Sequence, residues 1–73
     1  MNTLIFKVGN KTIEINKEHY PKMFDLMACD KKDFQDRINT TYQNRIDKGM
    51  TEEEAIDEVE AQIQNLEIDL EHN

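Results

Sequence analysis

Apolar and polar positions change period along this 73-residue chain. From Leu4 to Ile15 they alternate, LIFKV and KTIEI, on either side of Gly9-Asn10. A period of two marks a half-buried strand, and Gly-Asn tolerates the positive φ of a two-residue hairpin turn. The pattern predicts a β-hairpin over residues 4–15. A two-residue loop pairs Val8 with Lys11, Phe6 with Ile13 and Leu4 with Ile15. That register gathers Leu4, Phe6, Val8, Ile13 and Ile15 on one face. Lys7, Thr12 and Glu14 fall on the other, with Ile5 as the apolar exception. A lone hairpin is marginal in water, so its apolar face must pack on helices.

The period then lengthens. Tyr20, Met23, Phe24 and Met27 follow the i, i+3, i+4, i+7 spacing of a helix face, predicting a short helix over residues 17–28. Asn16 is placed as its cap. Pro21 suits a first helical turn, which makes Lys17 to Tyr20 an irregular lead-in. The two methionines read as adaptable core fillers, with a Met-lined recognition groove as the sharper alternative. Phe34, Ile38, Tyr42 and Ile46 recur every four residues and predict a helix over 31–48. Asp30 stands at its N-cap and Asp33 in its first turn, near the positive end of the helix dipole. Lys48 closes the last turn, and Gly49 supplies the left-handed residue after it. Met50 follows, where an apolar side chain can fold back.

Thr51 and Glu54 form a T-x-x-E capping box, with Met50 placed to staple against Ala55. They open a helix over 52–71, with Ile56, Val59, Ile63, Leu66 and Leu70 as its apolar stripe and Ile68 outside it. The connection of two or three residues forces the last two helices into an antiparallel pair. The expected fold is α+β: one small domain over residues 1–73, in which an N-terminal two-stranded β-hairpin packs on a short helix and an antiparallel helical hairpin, in the order ββααα.

Charge sharpens the picture at the C-terminal end. The chain carries a formal charge of −7. All nine Lys and Arg lie before Gly49, whereas residues 49–73 hold Glu52, Glu53, Glu54, Asp57, Glu58, Glu60, Glu67, Asp69 and Glu71. Helices of this kind usually interleave Lys at i+4. Here the acids form two blocks around the neutral AQIQN, with centres roughly 20 Å apart at the helical rise. Direct nucleic-acid binding is disfavoured, because phosphate attraction needs clustered cations. Lys7, Lys11, Lys17, Lys22, Lys31 and Lys32 are dispersed among acids, with no interleaved aromatic platform. No apolar run reaches the ~20 residues that span a bilayer, and the N-terminus lacks a basic n-region and a cleavage site. A soluble protein of a bacterial cytoplasm is expected.

Candidate chemistry is sparse. Cys29, the single cysteine, precludes an internal disulfide and reads as a buried small apolar residue. A catalytic pair would need His19, ten residues upstream, or His72, in the fraying end. Asp30, Asp33 and Asp36 lack the spacing, glycine and glutamate of a calcium loop. There is no C-x-x-C, no H-E-x-x-H and no phosphate-cradling loop. A thin-cored chain also has little volume for a cleft that would shift a carboxylate pKa. The expectation is a non-enzymatic module with no cofactor and no metal, which binds a protein partner with a basic surface. In its sharper form this is a phage or mobile-element inhibitor whose nine acids imitate nucleic acid and block a host enzyme's groove. The alternative is an assembly protein that forms a homodimer or larger oligomer through its helical hairpin.

Overall fold

The computed structural model describes residues 2–72. Strands β1 (Thr3–Val8) and β2 (Lys11–Asn16) are followed by helices α1 (Pro21–Cys29), α2 (Lys31–Asp47) and α3 (Glu52–His72). The ββααα, mixed α+β arrangement expected from the periodicities is the one found.

β1 and β2 pair antiparallel with Leu4 opposite Ile15, Phe6 opposite Ile13 and Val8 opposite Lys11. The two-residue turn dictates this register, and Gly9 provides its positive φ of 63°. The amide of Lys17 reaches the carbonyl of Asn2 and continues the ladder beyond the strand ends. Phe6, Val8, Ile13 and Ile15 are buried; Ile5, on the opposite face, is half exposed.

These four meet Met23, Phe24 and Met27 of α1, Ile38 of α2, and Ile56, Val59 and Ile63 of α3 in one apolar cluster. α1 packs against β2, α2 against β1, and α3 against both of the other helices. Leu4, Tyr20, Phe34, Tyr42 and Leu70 close its margins. Both methionines are fully buried, fitting the filler role that an unbranched thioether suits.

The junction between α2 and α3 is built as its sequence dictates. Gly49 takes φ 95°, and its amide bonds the carbonyl of Ile46 while that of Met50 bonds Arg45. This is the Schellman pair, which satisfies two carbonyls at the helix end. Thr51 and Glu54 then cap α3 reciprocally: the Glu54 amide donates to Thr51 Oγ1 and the Thr51 amide to Glu54 Oε1, both at 3.2 Å. Arg45, late in α2, pairs with Glu58, early in α3. Phe34, early in α2, shares a groove with Leu66, late in α3. The two helices therefore run antiparallel.

Four local expectations need correction. The first helix is regular from Pro21 and not from residue 17, with Lys17 to Tyr20 as the irregular lead-in that the proline implies, and Asn16 does not cap it. Instead Asn16 Oδ1 accepts from the amide of Glu18, and its carbonyl accepts those of His19 and Tyr20. Asn16 thus closes a turn, a use that Asn side chains favour after strands. Asp30 holds the N-cap position of α2 without a side-chain capping bond. Cys29 is exposed, since it falls on the last residue of α1, away from the buried face of Met23 and Met27. Finally, Leu66 is 46 % exposed while Glu67 beside it is only 4 % exposed. The buried arc of α3 has rotated towards α1 at its C-terminal end.

Candidate functional site

The nine α3 carboxylates do not form one surface. Glu67 is buried. Its Oε1 lies 2.8 Å from the amide nitrogen of Met23, and both its oxygens face the amide of Lys22, at 3.1 and 3.3 Å. These are the second and third residues of α1, whose amides have no acceptor inside the helix. Pro21, the first, has no amide hydrogen, and the amide of Phe24 bonds the carbonyl of Tyr20. Glu67 therefore completes the N-terminus of α1 from 44 residues away, with a negative charge at the positive end of its dipole. It is structural, not part of a partner-facing row.

Three further acids are committed to the fold. Glu52 Oε1 accepts the amide of Asn10, tying the hairpin turn to the start of α3. Glu54 belongs to the capping box. Glu58 pairs with Arg45 at 3.5 Å. The remaining five, Glu53, Asp57, Glu60, Asp69 and Glu71, are all exposed. Among the described residues the ion pairs are Arg37–Asp33 and Arg45–Glu58, so none of the five has a basic partner there. By helical spacing Glu53, Asp57, Glu60 and Glu71 share one flank of α3, and Asp69 lies on the other. Of these four, Glu60 borders the hairpin: it lines a groove of about 350 Å³ together with Thr12, Glu14, Ile15, Tyr20 and Ile63.

A second groove, of about 430 Å³, runs between α2 and α3. Met23, Met27, Phe34, Ile38, Val59 and Ile63 form its walls, Leu66 its lip, and Arg37, Thr40 and Gln62 stand at its rim. The Arg37 guanidinium lies 5.4 Å from the centre of the Phe34 ring and 3.0 Å from Asp33. A depression of the same order, about 360 Å³, brings His19 beside Tyr20, Glu67 and Glu71, and Cys29 is not among its walls. Among the described residues no group of three His, Cys, Asp or Glu side chains is placed to hold a metal ion. No helix among them is long and apolar enough to cross a membrane.

The hairpin groove was not visible in the sequence, because it joins residues more than forty positions apart. Its one local sign is Glu14, an acid at an outward strand position between Ile13 and Ile15. In comparisons with family models, curated proteins and solved structures, nothing matches this chain.

Proposed function

We propose that this chain is a non-enzymatic protein-binding module that presents the outer flank of α3 to a basic surface of a larger protein. The observation that carries the reading is the separation of the α3 acids into two groups. Glu52, Glu54, Glu58 and Glu67 have structural partners, and these account for less than half of the acidic excess. Glu53, Asp57 and Glu60 follow one another along one flank, with rises of ~6 and ~4.5 Å. A row of unpaired carboxylates concentrates negative potential and steers a cationic partner in a salt-dependent way. In its sharper form the module is an inhibitor, of phage or mobile-element origin, that competes with nucleic acid for its partner's groove.

The test is a double charge reversal, Glu53→Lys with Asp57→Lys, at positions that make no structural bond. Partner capture from host lysate is compared for wild type and variant at low and high salt, with duplex DNA as competitor. Loss of capture in the variant, in high salt and with DNA supports the reading, provided circular dichroism is unchanged. Capture that ignores both charge and salt ends it.

A second reading, self-association through the helical hairpin, is favoured by the α2–α3 groove and the half-exposed Leu66 at its lip. Molar mass by light scattering across a concentration series tests it, and a strict monomer throughout rules it out.

A further inference from the structure

The two outer edges of the hairpin are finished differently. In this register the pairs Phe6–Ile13 and Val8–Lys11 turn their backbone groups towards each other, so those of Lys7, Thr12 and Glu14 point outward. At the β1 edge the Gln35 side chain takes the place of a third strand. Its Oε1 accepts the Lys7 amide at 3.0 Å, and its Nε2 donates to the Lys7 carbonyl at 2.8 Å. At the β2 edge no group among the described residues does this for Thr12 or Glu14. An open edge is a template for strand pairing, and folded proteins normally cover or charge it. Lys11 and Lys17 flank the edge at its two ends, but the charged side chains that line the groove beside it are both acidic: Glu14 on the strand and Glu60 across from it.

We propose that the β2 edge is a docking surface for an extended, lysine- or arginine-bearing segment of the partner, which adds as a third strand. This rests on the proposed function and specifies the partner's chemistry. Main-chain bonds to Thr12 and Glu14 hold the segment, as in other cases of strand addition. Side chains of an added strand alternate between faces. Those facing α3 lay an aliphatic stem on Ile63 and Tyr20 and bring their cationic end to Glu60. Those facing outward stand beside Glu14 as a cross-strand charge pair. A second copy of this chain fits less well, because it brings a further Glu14 and Glu60 to a groove whose lining holds no cation, on a chain already at −7.

The probe is a synthetic peptide of alternating lysine and threonine, roughly eight residues long to match a strand. It is added to the isotope-labelled full chain and followed by amide NMR. The amide signals of Thr12 and Glu14 should shift, and their hydrogen exchange should slow roughly tenfold when free peptide reaches ~10 Kd. The same peptide N-methylated at alternate residues keeps its charge and loses its donors, and should bind at least about tenfold more weakly. Glu60→Gln should weaken the unmodified peptide several-fold without changing the circular dichroism spectrum. Equal binding of the methylated peptide, with shifts confined to Glu53 and Asp57, overturns edge docking while leaving the acidic flank as a binding surface. Edge shifts that persist undiminished in the Glu53→Lys, Asp57→Lys variant uphold edge docking and count against that flank. Shifts of Thr12 and Glu14 that follow protein concentration without peptide mean that a second copy occupies the edge, and the proposal is wrong.

Discussion

Glu67 Oε1 lies 2.8 Å from the amide nitrogen of Met23, so the end of α3 completes the beginning of α1. Loss of a local N-cap costs ~1 kcal/mol, and stranding a buried donor costs ~1–3 kcal/mol. Glu67→Ala should therefore destabilise the fold by about 2–3 kcal/mol. Glu67→Gln keeps one acceptor oxygen and should cost about half as much. Urea unfolding of both variants checks the order. If alanine is no worse than glutamine, the carboxylate is not the cap of α1.

This contact marks the limit of what the chain's pattern discloses. The hairpin register, the Gly49 stop and the Thr51–Glu54 start are local: each depends on residues within a few positions, and each was legible. Glu67 shares the acidic composition of its neighbours, and composition alone groups it with the acids expected to meet a partner. Its burial depends on α1 lacking a capping side chain of its own. The clue was present, since Tyr20 precedes Pro21 where Ser, Thr, Asp or Asn would normally stand. It named a missing acceptor without naming the residue that supplies it. Leu66 shows the converse, for heptad spacing alone would bury it. Likewise Gln35 is a half-buried polar residue on the same side of α2 as Tyr42 and Ile46, and only its nearness to β1 gives it a task.

Gly9 is required twice over, by its φ of 63° and by Tyr42, whose hydroxyl would lie 2.5 Å from an added Cβ. Gly49 has open space around it, so only its backbone conformation resists substitution. A left-handed conformation costs an L residue ~1–2 kcal/mol, and overpacking adds ~1–3 kcal/mol. Gly9→Ala should thus lower stability by more than Gly49→Ala, by about 1 kcal/mol or more. Combining Gly9→Ala with Tyr42→Ala should recover part of the loss, since the clash needs both side chains. Strictly additive denaturation energies would show that Tyr42 does not pack on the turn.

Gln35 pairs both backbone groups of Lys7, and the amide's two ends are not interchangeable. Gln35→Glu retains an acceptor for the Lys7 amide and sets a carboxylate against the Lys7 carbonyl. Gln35→Ala leaves the edge to water. Both bonds are exposed, so each variant should lose only about 1 kcal/mol. Hydrogen exchange at Lys7 should separate them: faster in the alanine variant, and closer to wild type in the glutamate variant. An unchanged Lys7 rate in Gln35→Ala means the edge is not covered by this side chain.

The run Glu52-Glu53-Glu54 offers three identical side chains with three different environments. Glu52 holds the Asn10 amide at 3.2 Å, Glu54 completes the capping box, and Glu53 makes neither kind of bond. All three carry the same favourable interaction with the helix dipole, so a purely electrostatic role would make their alanine variants equal. The geometry predicts inequality. Glu53→Ala should stay within about 0.5 kcal/mol of wild type, the range of a neutral surface change. Glu52→Ala and Glu54→Ala should each lose about 1 kcal/mol through a long-range tie and a cap, respectively. Glu54→Gln should recover most of the loss, because glutamine serves the third position of a capping box. Thermal unfolding of the four variants at low and high salt decides the matter. A salt-sensitive loss of equal size at all three positions would reduce the run to helix-dipole electrostatics. A loss confined to Glu52 and Glu54 leaves Glu53 without a structural duty, as its assignment to partner binding requires.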